Sequence, residues 1–265
     1  QHLYLTAILR FPQRYLLKAL KLYFVKDHTD KGDISPFSSL MVALAANIGA
    51  GNIIGVGVAI AAGGPGAVFW CWLTGVLGMA TRYSEGLLAI KYRVENKDGN
   101  MSGGPMFVLE RGLNSKWLGT AFAVFTAIAA FGIGNLTQGN AAAEQLHHAF
   151  SIPSWGTAAV LTALTALVML GGIQGIARVC AFFVPFMAVI YIMGCLYILT
   201  VQAEYIIPAI RYILDCAFTG EAAAGGAAGA AVMAAMRTGV ARGLFSNEAG
   251  LGSAAIASAA AQNRN

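Results

Sequence analysis

The chain has 265 residues, of which 57% are hydrophobic and 11% are charged, and its formal net charge is +5. Soluble globular domains carry about 25% charged residues, so much of this chain must face something other than water. Several apolar stretches are long enough to cross a bilayer, which takes roughly 20 residues. The composition therefore indicates an all-α integral membrane protein and excludes a soluble enzyme.

The amino-terminal region, residues 1–37, is predicted to be a cytoplasmic amphipathic segment followed by a polar hinge. Leucine and aromatic residues alternate there with arginine and lysine, a pattern typical of helices that lie on a membrane surface. A solvated linker is the alternative. We expect Pro12 to break the segment, and the "KDHTDKGDISP" stretch to form the hinge. Residues 38–265 are then the transmembrane domain.

Six membrane spans follow in chain order, and they are predicted near 38–62, 65–92, 117–140, 154–172, 178–202 and 226–261. The first contains "ANIGAGNIIG" and the last contains "GLFSNEAGLGSAA", where glycines and polar residues lie inside apolar runs. Glycine weakens a helix by about 1 kcal/mol relative to alanine. We therefore expect both helices to be broken, near 47–52 and near 246–252.

The distribution of basic residues predicts the orientation. Fourteen of the 17 lysines and arginines lie in the loops 1–37, 82–116 and 173–178 and at the carboxyl-terminal end. The opposite loops, near 63–66, 141–153 and 203–225, contain only Arg211. Basic loops stay on the cytoplasmic side of a membrane. The amino terminus is therefore expected on the cytoplasmic side of the cell inner (plasma) membrane. The net positive charge then faces anionic lipid rather than nucleic acid.

Broken helices suggest a binding site. An unwound segment is stable in a membrane only where protein encloses it or where it lines a cavity. The two breaks lie five spans apart, so their helices cross in opposite directions, as in an inverted five-helix repeat with a transporter site at its centre. Close helix packing is the alternative explanation for the glycines.

Other polar and special residues have two interpretations. Glu248 is an intramembrane carboxylate, which either serves a site or bonds between helices as a neutral acid. Gln138 either lines the pocket or bonds to a neighbouring helix. Arg82 and Glu85 are expected to pair near the inner end of the second span. The four cysteines are expected to be packing residues, and the four tryptophans to lie at the membrane interfaces.

Four segments carry a family resemblance, namely "GGPGAVFWCWLTGVLGMATRYSEGLLAIKYR", "ISPFSSLMVALAANIGAGNIIGVGVAIAAGGPG", "GGPMFVLERGL" and "GLFSNEAGLGSAA". Together they resemble the hallmark segments of the alanine or glycine:cation symporters, and the resemblance extends over essentially the whole chain. It implies a leucine-transporter-like inverted-repeat fold, of which this chain would be the first five-helix repeat plus the first helix of the second. It also implies a piece of a longer protein that carries small amino acids, alanine or glycine, with sodium or in some cases protons.

The resemblance also implies a site. The substrate carboxylate would meet the amides of Ala50 and Gly51, and the ammonium group would meet the carbonyls of Phe245 and Ser246. The implied substrate-binding residues are Asn47, Gly49, Ala50, Gly51, Gln138, Phe245, Ser246, Glu248, Gly250 and Gly252. The implied sodium ligands are Ala45, Asn47, Ile48, Asn52 and Ser246.

Three other readings compete with the transporter. A channel or passive pore needs rings of carbonyls or charges from several subunits. An intramembrane enzyme would use Glu248 with a histidine, but no predicted span contains one. A truncated remnant without function is the third. No catalytic constellation is visible in the sequence, so an enzyme is not expected, and sodium is the one cofactor expected.

Overall fold

The computed structural model describes residues 1–22, 32–219 and 228–262, with the backbone alone described at 22, 50, 133–135 and 228–231. It is built mainly from helices. Part of the predicted polar hinge, the first two residues of the predicted last span and the final three residues of the chain lie outside the described residues.

The helices of the first part of the chain are α1 (His2–Ile8), α2 (Leu16–Leu22), α3 (Pro36–Asn47), α4 (Ala50–Ile53), α5 (Gly55–Gly63) and α6 (Gly66–Lys91). A 3-10 turn, Pro12–Tyr15, precedes α2. A short antiparallel hairpin follows α6 and consists of β1 (Val94–Glu95) and β2 (Met101–Ser102).

The remaining helices are α7 (Pro105–Phe107), α8 (Lys116–Ala129), α9 (Thr137–Phe150), α10 (Ser154–Leu170), α11 (Gly172–Val201), α12 (Ala203–Phe218), α13 (Ala228–Asn247) and α14 (Ser253–Ala259). Two π-helical segments, Val108–Gly112 and Ala130–Leu136, continue α7 and connect α8 to α9.

Two continuous helices are long and apolar enough to cross a membrane. They are Lys116–Phe150, with 35 residues, and Gly172–Val201, with 30 residues. The interrupted pair Pro36–Asn47 and Gly51–Gly63 passes the same test when it is taken as one span, which makes up to three spans among the described residues. Six spans remain a prediction. Few side chains of the two long helices are buried, as expected of surfaces that contact lipid.

Two of the predicted loops are helical. The region 203–225 contains α12, whose charged residues Glu204, Arg211 and Asp215 recur at spacings of seven and four and so share one face of the helix. The predicted loop 141–153 is helical as far as Phe150. The spacing of the charged residues in α12 is that of one helix face, so these residues are compatible with a helix as well as with a loop.

The turn before the fifth predicted span also lies earlier than expected. The helix α10 ends before Gly171, and α11 begins at Gly172, which has a φ of +60°. Arg178, which was predicted to lie in the loop 173–178, is therefore inside a helix. Glycine takes this left-handed conformation without steric cost, which explains why the turn falls at the glycine pair.

The first helix of the amino-terminal segment, α1, contacts α6. Thr6 of α1 is 3% exposed and its hydroxyl donates to the Leu77 carbonyl oxygen at 3.5 Å. His2 Nδ1 lies 2.5 Å from Thr81 Oγ1. These contacts join α1 to α6, and the membrane-surface position expected for residues 1–37 stays a prediction. The chain does leave the helix at Leu9–Phe11, close to the predicted break at Pro12.

The described residues form two compact units. The first comprises Gln1–Leu16, Asn47–Ser84 and Val184–Leu251, and the second comprises Leu17–Ala46, Glu85–Phe183 and Gly252–Asn265, within the described ranges.

In the first unit, α13 packs against α5 and α6 through small residues. A Cβ atom on Gly239 would overlap the carbonyl oxygen of Ala67, and one on Gly243 would lie 2.8 Å from Thr74 Cβ. Close approach through glycine and alanine is the usual way in which membrane helices gain packing energy.

The second unit holds α14 in place by its backbone. Ile34 pairs with Ala261 in a parallel bridge, and the Ala260 carbonyl oxygen accepts the Asp33 N–H at 2.8 Å. The guanidinium of Arg93 donates to the carbonyl oxygens of Ala259, at 3.1 Å, and Ala261, at 2.8 Å. A cation at this position stabilises the last carbonyls of a helix.

Substitution of Gly239 tests this packing, and Gly57 is a matched control because a Cβ there meets nothing within 4 Å. Helix propensity alone favours alanine by about 1 kcal/mol at both positions. We expect Gly239→Ala in the full-length protein to lower the thermal unfolding midpoint, since overpacking costs about 1–3 kcal/mol. Gly57→Ala should leave the midpoint unchanged or raise it. Equal midpoints for the two variants would contradict the packing described here.

Cysteine labelling tests the predicted orientation. Ser151, after α9, and Asp98, in the β1–β2 turn, are both exposed, and Ser151→Cys and Asp98→Cys can be made with the four native cysteines replaced by alanine. A membrane-impermeant maleimide should label position 151 in intact cells, and position 98 only after the membrane is opened. The reverse pattern would overturn the orientation predicted from the basic residues.

Candidate functional site

The first interruption lies between α3 and α4. Ile48 and Gly49 are not helical, and the Gly49 carbonyl oxygen accepts the backbone N–H groups of Asn52 at 3.0 Å and Ile53 at 3.1 Å. The side-chain amide of Asn52 donates to the carbonyl oxygen of Asn47. Carbonyls at a helix end have no helical partner, so Asn52 supplies one across the break. The break predicted near 47–52 is therefore present.

The second interruption, Glu248–Gly252, separates α13 from α14, as predicted near 246–252. Three of its residues have positive φ, namely Glu248 at +50°, Gly250 at +94° and Gly252 at +75°. The two glycines adopt this conformation freely, but a residue with a Cβ held there costs on the order of 1–3 kcal/mol. The surrounding structure must therefore hold Glu248 in place.

The helix α6 provides a partner for Glu248 within the first unit. Arg82 Nη1 lies 4.0 Å from Glu248 Oε2, and the two side chains are 24% and 26% exposed. In the second unit, the backbone N–H of Gly252 donates to Glu85 Oε1 at 3.1 Å. Arg82 and Glu85, which the sequence suggested as partners for each other, thus each have a partner in the second interruption.

The two interruptions approach each other within the first unit. A Cβ atom on Gly51 would lie 3.3 Å from the Phe245 ring and 3.4 Å from Ser246 Oγ. Glycine at position 51 therefore permits α4 to pass close to the last turn of α13. This approach brings Asn52, one residue further along, to the same cavity as Ser246 and Asn247.

A cavity of about 690 Å³ lies beside the interruptions in the first unit, and it is lined by Ile48, Asn52, Val56, Val68, Cys71, Trp72, Gly75, Val76, Met79, Tyr191, Ser246 and Asn247. Asn52, Ser246 and Asn247 come from the two interrupted helices, and Tyr191 comes from α11. The apolar wall of the cavity comes mainly from α6. An amphiphilic ligand with a charged end and a short apolar end matches such a division.

Two buried oxygens at the interruptions have no hydrogen-bond partner among the described residues. They are Asn47 Oδ1 and Ser246 Oγ. Leaving a buried polar atom unpaired costs about 1–3 kcal/mol, so such atoms call for a further partner. Neutral oxygens from side chains and unwound backbone are the groups that hold sodium in transporters with broken helices. The residues present therefore fit a sodium ion.

The implied site residues fall into two sets. Ten of them belong to the first unit: Asn47, Ile48, Gly49, Ala50, Gly51, Asn52, Phe245, Ser246, Glu248 and Gly250. Ala45, Gln138 and Gly252 belong to the second. Gln138 is exposed on α9 and is not among the residues that line the cavity. Its assignment to the substrate pocket has no support from the cavity.

The amino-acid sequence alone did not identify the residues of α6 that form the apolar wall of the cavity. Cys71, Gly75 and Met79 follow one another at intervals of four residues, so they share one face of α6. This spacing was present in the sequence, but it was not distinguishable from an ordinary packing face. Cys71 was expected only to pack, and Trp72 only to lie at the membrane interface, whereas both line the cavity.

Known proteins similar to this chain are transporters. The model of the sodium:alanine symporter family matches residues 1–265. An uncharacterized transporter of Haemophilus influenzae is 53% identical over 264 residues, which cover 99% of this chain and 58% of that protein. The sodium/alanine symporter AgcS of Methanococcus maripaludis is 51% identical over 267 residues, covering 98% of this chain and 58% of that protein.

A more distant relative is the probable sodium/glutamine symporter GlnT of Bacillus subtilis, which is 36% identical over 261 residues and matched over 54% of its length. The chain thus spans about half the length of the curated relatives that it matches. The match of the family model to the whole chain agrees with the four segments that carry the resemblance. The chain belongs to the sodium:alanine symporter family.

Proposed function

We propose that this chain is part of a sodium-coupled symporter for alanine or glycine that works by alternating access. The observation that carries the proposal is the meeting of two interrupted helices at one cavity, with buried oxygens at both interruptions. The name of the family and that of AgcS support sodium and alanine as the two ligands.

The ends of the two interrupted helices, beside the cavity, suggest how a small amino acid binds. The amides of Ala50 and Gly51 at the start of α4 suit a carboxylate, since helix amino termini carry partial positive charge. The carbonyls of Phe245 and Ser246 lie in the last turn of α13, where the partial charge is negative, and they suit an ammonium group. The apolar face of α6 is then left for the substrate side chain.

Sodium supplies the driving force. The oxygens of Asn47, Asn52 and Ser246 are candidate ligands, with backbone carbonyls of Ala45 and Ile48 at a second sodium position. An inward-moving sodium ion contributes about 2.3 kcal/mol per 100 mV of membrane potential, in addition to its concentration gradient. A shared site links the two affinities, so each ligand strengthens the binding of the other by the same factor.

A larger substrate is the second candidate. The cavity of about 690 Å³ has more room than alanine and one ion require, and one relative is named as a probable glutamine symporter. Uptake of radiolabelled alanine by proteoliposomes containing the full-length protein decides between the candidates. We expect saturable uptake under a sodium gradient, competed by glycine and not by glutamine. Uptake that is linear in alanine and indifferent to sodium would instead indicate a passive pore.

Substitution of Asn52 tests the proposed sodium site. The Asn52 side chain has two separable roles, since its oxygen can bind sodium and its amide donates to the Asn47 carbonyl oxygen. Asn52→Leu removes both the oxygen that can bind sodium and the amide that donates to the Asn47 carbonyl. We expect the half-saturating concentrations of sodium and of alanine to rise together by at least about tenfold, which corresponds to roughly 1.4 kcal/mol.

Asn52→Asp is the matched control, since it keeps an oxygen and loses the donor. If the oxygen binds sodium, this variant should retain sodium activation within about threefold of the parent. A variant as impaired as Asn52→Leu would show that the donor to Asn47 is what matters. A well-expressed Asn52→Leu protein with normal sodium activation would rule out the ligand role.

Substitution of Gly75 tests whether the substrate side chain contacts the apolar wall that α6 contributes to the cavity. An alanine Cβ at this position would lie 3.4 Å from Asn247 Nδ2, so the methyl groups of valine must extend into the cavity. In Gly75→Val we expect the KM for alanine to rise at least about threefold more than the KM for glycine. Gly86→Val is the control, because Gly86 lies on the same helix, meets nothing within 4 Å and does not line the cavity. An unchanged ratio of the two KM values in Gly75→Val would place the substrate elsewhere.

A further inference from the structure

The helix α6, of 26 residues, carries Arg82 and Glu85 three residues apart, and Lys91 lies in its last turn. Charged side chains on the helices of membrane proteins commonly pair with other groups and often mark functional positions. The cavity-lining residues of α6 lie nearer its amino terminus, between Val68 and Met79. Neither Arg82 nor Glu85 lines the cavity, so a role in direct contact with substrate does not explain them.

Glu85 holds the start of α14. Its Oε1 atom accepts the backbone N–H of Gly252, the last residue before the helix begins. Backbone N–H groups at the start of a helix lack a helical partner and need one from elsewhere. Gly252 has a φ of +75°, and a Cβ there would lie 2.5 Å from Pro105 Cγ. The chain at Gly252 therefore has little freedom while the carboxylate holds it.

Arg82 holds the end of α13 in the first unit. The Arg82–Glu248 ion pair joins α6 to a residue in a left-handed conformation, two positions beyond the buried Ser246. A strained residue keeps such a conformation only when its surroundings fix it. The ion pair, at 4.0 Å, is one of the contacts of Glu248, and it acts next to the carbonyls assigned to the substrate ammonium group.

We propose that Arg82 and Glu85 are positioning residues: within the first unit Arg82 holds Glu248 so that Ser246 and the Phe245 carbonyl keep their binding geometry, and within the second unit Glu85 holds Gly252 at the start of α14. The inference rests on the proposed function, since it is sodium and amino-acid affinity that the geometry serves. Neither residue contacts the substrate. Their loss weakens binding while the rate at saturation is largely kept.

The test for Glu85 uses the full-length protein and three variants. Glu85→Ala removes the acceptor, Glu85→Gln keeps an oxygen that can accept the Gly252 N–H, and Ser84→Ala is a control whose hydroxyl bonds only within α6, to the Ala80 carbonyl oxygen. In Glu85→Ala we expect the half-saturating sodium concentration to rise at least about fivefold, with less than twofold change in maximal rate per folded protein. Glu85→Gln and Ser84→Ala should both stay within twofold of the parent.

Hydrogen–deuterium exchange supplies a readout that does not depend on transport. The Gly252 amide should exchange at least about tenfold faster in Glu85→Ala than in the parent, and Glu85→Gln should restore its protection. Unchanged exchange in Glu85→Ala, or a Glu85→Gln variant as impaired as Glu85→Ala, would overturn the proposal for Glu85. If exchange changes as expected while the parent protein shows no sodium-dependent alanine uptake, the contact stands and the proposed function fails.

The Arg82–Glu248 pair is tested by a double-mutant cycle. Arg82→Gln and Glu248→Gln should each raise the KM for alanine at least about threefold, and the double variant should be no worse than the poorer single variant. Residues that act through each other show this non-additivity. If the two effects multiply, the pair does not act as a unit and the proposal for Arg82 is wrong.

Discussion

The rest of the structure depends on the need to pair every backbone N–H and carbonyl group that is removed from water. A continuous helix meets this need by itself, whereas α3 and α13 each end at an interruption that exposes such groups. Asn52 supplies a donor to the Asn47 carbonyl at the first interruption, and Glu85 accepts the Gly252 N–H at the second. The same unpaired groups that destabilise a helix are those that can bind a zwitterion and a cation.

The positions of the interruptions could be predicted, because their cause is local. Glycine and asparagine inside an apolar run disfavour a helix wherever the run is placed, so Gly49 and Gly250 marked the breaks. The apolar wall of the cavity could not be predicted in the same way. Cys71 and Met79 have no chemical signature that separates a cavity from a packed interior, and only the course of α6 beside α13 makes the difference.

Errors in the predicted elements have a physical cause as well. The region that forms α12 was predicted to be a loop, although its charged residues are also compatible with an amphipathic helix. The sequence could not show that Arg82 pairs with Glu248. Proximity along the helix favoured Glu85 as its partner, and only the tertiary structure places Glu248 Oε2 4.0 Å from Arg82 Nη1. The roles implied for Ala50 and Gly51 rest on a resemblance, since composition and spacing alone lead only to the interruption.

The length of α14 has a consequence for motion. With seven residues, it is too short to be stable as an isolated helix. Glu85 holds the chain at its start and Arg93 binds the carbonyl of its last residue, Ala259. If these two contacts and the backbone pairing with Asp33 and Ile34 are lost together, α14 should unwind rather than tilt as a rigid rod. Any step that separates it from α6 would then be a melting transition, and the rate of that step would rise steeply with temperature.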